Sequence, residues 1–168
     1  MGIKKKKILV VIQGNVGGAE RIAVTVTKGL DSQLYDVTYY LVGMTDENCY
    51  AIEKFIPQQW KVHHINKTHS AILLIKLFWT LLKELPDTVF STTLYINGKL
   101  LLLKKTFPHI RFIVRCENYL YTFKNKQLNL IKKTYKNADL IIAQTEEMKD
   151  ELINQMQIDS KKIKVLHN

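Results

Sequence analysis

At 168 residues the chain is long enough for one domain with a full core, and 46% hydrophobic with 24% charged residues is ordinary for a globular protein. Cys49 and Cys116 show no metal or redox spacing and fit a reducing compartment as structural thiols. The net charge is +10, and nearly all of the excess lies between Lys99 and Lys136, where ten cations face one acid, Glu117; this implies an anionic partner (phosphate, membrane surface or nucleic acid) or a solvated basic face.

In chain order, Lys4 to Lys7 precede "ILVVI", an apolar run too short for a signal peptide, and Lys6 stands where myristoylation after Gly2 needs Ser or Thr. "KILVVI" (7–12) suits a strand buried on both faces. A turn with three glycines, Gly14, Gly17 and Gly18, leads into a helix over 19–30, with apolar residues at helical spacing. "DVTYYLV" (36–42) is strand, "AIEKFI" suits a short helix, and "KVHHI" (61–65) is a third strand. "SAILLIKLFWTLLKEL" (70–85) is a long apolar helix stopped by Pro86; it is shorter than the ~20 residues of a spanning helix, and Lys76 and Lys83 interrupt it.

"TVFSTT" (88–93) is a fourth strand and "NGKLLLLKK" (97–105) a helix. "RFIVRC" (111–116) is a fifth strand, and a basic, aromatic loop (119–126) leads to a helix near 127–137. "LIIAQ" (140–144) is a sixth strand, "TEEMKDELINQM" a helix, and a seventh strand lies within 163–167. Strands alternating with helices imply parallel pairing by right-handed crossovers. The expected fold is therefore α/β, one domain with a doubly wound, mostly parallel sheet of about seven strands.

In such a sheet the ligand crevice lies beyond the carboxyl ends of the strands. The informative segments are then Gly14 to Gly18, Ser91 to Tyr95, Glu117 to Tyr119 and Gln144 to Glu146. The first turn reads G-x-x-G-G. It lacks both the dinucleotide-binding pattern and the P-loop lysine, which excludes NAD-dependent and ATP-hydrolysing classes. Glycines before a helix suit an anionic ligand, by close approach or φ > 0, but a tight turn needs them too. Glu20 sits in the first helical turn, where it complements the macrodipole or meets a ligand. Glu117, beside Arg115 and Asn118, is either a partner of Arg115 or a catalytic or hydroxyl-binding group at the crevice. Thr145 reads as a helix cap at a strand end. His63 and His64 have no partners at metal-ligand spacing. Tyr119, Tyr121 and Phe123 next to Lys124 and Lys126 suit an interface, a sugar platform or a packed loop.

"GGAERIAVTVTKGL" (17–30) is similar to the first loop and helix of glycosyltransferase family 4, the retaining sugar transferases of GT-B fold. "PDTVFSTT" (86–93), "RFIVRCEN" (111–118), "ADLIIAQTEEMKDEL" (138–152) and "KIKVLHN" (162–168) resemble later segments of that family's first domain, in the right order. The resemblance implies that 1–168 is a single Rossmann-like, acceptor-binding N-terminal domain, with the donor-binding C-terminal domain absent from this chain. It implies transfer of a hexose from a nucleotide-sugar to a glycan or lipid-linked acceptor in cell-envelope polysaccharide synthesis, with no metal or other cofactor. Gly17 and Gly18 would face the donor diphosphate. Glu117 stands where the family often has a histidine and is the candidate catalytic residue; Glu20, Arg115, Asn118 and Thr145 are candidates for the acceptor.

Lys124, Lys126 and Tyr121 are candidates for an anionic surface. The expected location is cytoplasmic, peripheral on the inner face of the membrane. The alternative is a non-catalytic basic α/β module for phosphate ligands, anionic membrane or nucleic acid; no RNA-binding signature or helix-turn-helix pattern favours nucleic acid.

Overall fold

The structure is a computed structural model that describes residues 4–43, 51–66 and 69–167. Gly2, Cys49 and Asn168 lie outside the described residues. Seven strands, β1 (Lys6–Gln13), β2 (Tyr35–Val42), β3 (Lys61–Ile65), β4 (Thr88–Ser91), β5 (Arg111–Arg115), β6 (Leu140–Ala143) and β7 (Ile163–Val165), form one sheet in the order β3-β2-β1-β4-β5-β6-β7. Every pairing is parallel. The doubly wound sheet read from the sequence is the fold.

Alternation along β1 divides the core. Val10 and Ile12 face α1 (Gly18–Lys28), with Ala23 and Val24, and share that layer with Tyr39, Ile52, Ile56 and Trp60. Leu9 and Val11 face the other layer, built from α2 (Ser70–Glu84), α3 (Leu94–Leu103), α4 (Asn125–Thr134) and α5 (Glu146–Met156). A period of two residues thus feeds both layers from one strand.

Most bounds shift by a few residues, and three departures bear on the site or the core. "AIEKFI" forms only a 3-10 turn over Glu53–Phe55, with Ile52 and Ile56 buried. β4 ends at Ser91, so Thr92 and Thr93 belong to the turn, and Thr93 is the residue before α3. α3 begins three residues before Asn97, because that side chain is held inside the fold: Asn97 Nδ2 donates to Arg115 O (2.9 Å) and to Tyr135 Oη (3.0 Å). α2 closes at Leu85, whose φ of 46° is left-handed; Pro86 disfavours the helical conformation there.

α3 is buried nearly all round, which fits a helix wedged between neighbours. Gly98 lets α4 approach it: a Cβ there would lie 2.5–2.9 Å from Leu130 Cδ2, Cγ and Cδ1. In an exposed helix Gly→Ala stabilises by about 1 kcal/mol. Here Gly98→Ala should instead destabilise, by about 1 kcal/mol or more, as overpacking. The double variant Gly98→Ala, Leu130→Ala should be more stable than the sum of the single changes, as urea melts of the four proteins would read.

Candidate functional site

The chain leaves β1 toward β2 and β4 toward β5, so strand order reverses between β1 and β4. Beyond the carboxyl ends at this reversal lies a cleft of about 390 Å³, lined by the end of β1 (Gln13), its loop and the start of α1 (Asn15, Gly17, Gly18, Ala19, Glu20), the end of β5 (Arg115, Glu117, Asn118) and Gln144 after β6.

Glycine serves two different purposes in the first loop, and neither is positive φ, since no described glycine has it. Gly17 is the N-cap of α1 in extended conformation. A Cβ there would collide with Glu20 Oε2, because the Glu20 side chain folds back over the loop. Its carboxylate accepts from the backbone N–H groups of Glu20 and Gly17 and from Thr93 Oγ1 (3.3 Å), and the residue is only 4% exposed. Glu20 therefore ties the β1 loop to the β4 loop and occupies the Gly17 amide itself. Gly18 is different: nothing lies within 4 Å of where its Cβ would stand. Among the described residues no acceptor meets the N–H groups of Gly18 and Ala19. These two amides, at the positive end of α1, line the cleft.

Arg115 closes β5 at 2% exposure and also lines the cleft. Burial lowers its pKa, while the neighbouring Cys116 and Glu117 raise it. Glu117 is half-buried and accepts a long hydrogen bond from Leu94 N (3.4 Å), the first residue of α3. Burial raises the Glu117 carboxyl, the bond from Leu94 lowers it, the negative charge of Glu20 raises it, and Arg115 lowers it. Glu20 is raised as well, chiefly by burial. The arrangement can hold an anion between helix amides and a guanidinium, beside a carboxyl whose proton is held more tightly than usual. That is the equipment for binding phosphate and for accepting or positioning a hydroxyl.

Of the residues expected at the site, Gly17, Gly18, Glu20, Arg115, Glu117 and Asn118 share this cleft. Thr145 does not line it; its hydroxyl accepts from Met148 N (3.2 Å) as the N-cap of α5 and shares a 3.3 Å contact with Tyr119 Oη. Lys124, Lys126 and Tyr121 also stand outside the lining. Tyr121 is 78% exposed, and its ring stacks on Tyr119 at 5.4 Å. Gln13 and Ala19 also line it and were not expected, while Asn15 and Gln144 lie in the segments singled out after strands but were given no role. Gln144 Nε2 donates to Glu117 O (2.6 Å) and so orients the β5 loop. Its place directly after a strand was the signal for it.

The basic stretch is less exposed than its count implies. Lys99 and Arg115 are buried, and Lys104 pairs with Asp139 at 2.7 Å while donating to Ile110 O. Cys116 is buried, with its thiol pushed up to about 12 by desolvation. His64 meets Glu53 at 2.8 Å and His63 packs on Tyr40. Among the described residues no cluster of three metal-ligating side chains occurs.

Residues 16–168 match Glycosyltransferase Family 4, and the chain belongs to that family. Among solved structures it is similar to HepE of Anabaena in complex with UDP and glucose (TM-score 0.73, 19% identity), covering 97% of this chain and 44% of that one. It is also similar to the apo form of the lipopolysaccharide outer core galactosyltransferase WaaB (0.70, 14%; 96% and 45%) and to the UDP-GlcNAc 2-epimerase of Methanocaldococcus jannaschii (0.65, 17%; 96% and 45%). The chain thus spans less than half of each, as one Rossmann-like half of a GT-B fold, the N-terminal one. No curated protein matches it. An epimerase among the neighbours means that the fold alone does not choose the chemistry.

Two measurements test this geometry. Gly17→Ala should lower stability by about 1–2 kcal/mol, since it dislodges the Glu20 carboxylate from two amides and a hydroxyl. Gly18→Ala should leave the melting temperature unchanged or raise it. The second concerns pH. Both carboxyls bind protons more readily folded than unfolded, so their contribution falls as pH rises above the ordinary value of 4.5 toward the raised folded values. Glu117→Gln should therefore melt above the parent at pH 7, and thermal scans should show that gap closing by pH 4.

Proposed function

We propose that this chain is the acceptor-binding half of a retaining glycosyltransferase. In this reading it moves a hexose from a nucleotide-sugar to a glycan or lipid-linked acceptor in cell-envelope polysaccharide synthesis, in the cytoplasm at the inner face of the membrane. The observation that carries the reading is the cleft at the strand reversal, which Gly18 and Ala19, with amides that meet no acceptor among the described residues, line together with Arg115 and Glu117. The family match supports the reaction class, and the neighbour solved with UDP and glucose supports a nucleotide-sugar as donor.

In this mechanism the donor diphosphate lies over Gly18 and Ala19, and their N–H groups with Arg115 stabilise the charge that grows on the phosphate as the sugar departs. Gly18 has no side chain, so the phosphate can reach the backbone. Glu20 acts earlier, by holding the loop in the shape that aims those amides. Glu117 and Asn118 orient the acceptor hydroxyl, with the glutamate on a strand end that Gln144 secures. No metal is required, since amides and a guanidinium carry the leaving-group charge. A second domain completes the donor site, so the chain alone is inactive.

The test uses the chain alone and then joined to a donor-binding domain. Alone, it should transfer no sugar and bind nucleotide-sugar weakly at best, as read by calorimetry. In the two-domain enzyme Gly18→Val should lower kcat at least a hundredfold with the fold intact, the scale of losing an oxyanion donor. Glu117→Gln should lower kcat or acceptor affinity without changing donor affinity. Unchanged kinetics in both variants would reduce the cleft to a structural turn.

A further inference from the structure

α2 is apolar on both of its faces. Leu73, Leu77 and Leu81 enter the core, yet on the opposite side Ile72, Ile75, Trp79 and Leu82 are 44%, 55%, 63% and 40% exposed, and Leu85 just beyond is 58% exposed. A helix that is hydrophobic all round is ordinarily buried, and a contiguous exposed apolar strip marks an interaction surface. The strip runs along three turns, about 15 Å at the helical rise.

Its charge identifies the partner. Lys76 and Lys83 stand on the same outward face, on either side of Trp79, and residues 70–83 contain no acid. Glu84, the helix's one carboxylate, is turned to the Tyr40 hydroxyl at 2.7 Å, and Lys7 reaches the carbonyl of Glu84 from β1. A tryptophan among branched aliphatics, bracketed by lysines without counter-ions in the helix, matches a bilayer interface: rings and methyls at headgroup depth and ammonium groups against lipid phosphates. α2 cannot cross a bilayer; no described helix is long and apolar enough to do so.

We propose that the outward face of α2 docks this chain on an anionic membrane surface, with Trp79 as its central anchor and Lys76 and Lys83 as its lipid-phosphate contacts. This surface is separate from the 121–126 loop, whose Lys124 and Lys126 neighbour only Tyr121 as a strongly exposed large apolar side chain. The docking needs neither donor nor acceptor, so its failure would leave the transfer reading untouched.

The chain carries its own reporter. Of its two tryptophans, Trp60 is 6% exposed and Trp79 63%, so a change of emission on adding vesicles reports Trp79. Phosphatidylglycerol–phosphatidylcholine vesicles should shift emission to the blue and co-sediment the chain at least tenfold more tightly than phosphatidylcholine alone, with loss of binding as salt rises. The pair Ile75→Glu, Trp79→Glu should weaken sedimentation at least tenfold with no loss of melting temperature, because both positions face solvent. Lys124→Glu with Lys126→Glu should change it less than threefold. Full binding by the α2 pair, or loss confined to the loop pair, would overturn the assignment. So would a parent dimer in sedimentation equilibrium that Trp79→Glu converts to monomer, since the strip would then cover a second copy.

Discussion

The reversal of strand order between β1 and β4 is the constraint on which the site depends. Right-handed crossovers send the chain from β1 across one face of the sheet and from β4 across the other. α1 accordingly packs on Val10 and Ile12, while α3 lies in the layer of Leu9 and Val11. Two loops departing in opposite directions leave backbone between them that no connection covers. The start of α1, the Thr92–Thr93 turn and the end of β5 all converge there because their strands are parallel and end at one edge.

Within that crevice Glu20 resolves a conflict between charge and position. A helix start needs its N–H groups satisfied, and a ligand site needs some of them open. Glu20 satisfies Gly17 and its own amide, ties the loop to Thr93, and leaves Gly18 and Ala19 facing the cleft. Burial makes this carboxylate costly and raises its pKa, and its negative charge in turn raises that of Glu117, which the nearby Arg115 lowers. Removing either Glu20 or Arg115 therefore changes the field at Glu117.

Local pattern carried the strands well because most are short apolar or β-branched runs between breakers. "KVHHI" coincides with β3 over Lys61–Ile65. It failed where a distant partner decides. Asn97 with Gly98 begins the helix read from the sequence over 97–105, yet both lie inside α3, since Asn97 bonds Arg115 O and Tyr135 Oη and Gly98 admits Leu130. Six of the expected site residues converge because position after a strand is readable without a structure. The fold-back of Glu20 was not readable, since its partner Thr93 is 73 residues away. The basic stretch misled for the same reason: composition counts Lys99 and Arg115 as surface charge, and packing turns them inward.

The same parallel topology relates the two surfaces of the chain. A helix that follows a parallel strand begins at the strand's carboxyl edge, so α2 starts at the edge of the sheet where the cleft opens and runs away from it toward β4. Lys99 Nζ joins the two regions, donating to Ser70 Oγ at the start of α2 from a helix that begins beside Glu117. Ile72 and Ile75 are thus the part of the apolar strip nearest the cleft, and Leu85 the farthest. A bilayer lying along the strip would meet the cleft's edge at the first turns of α2.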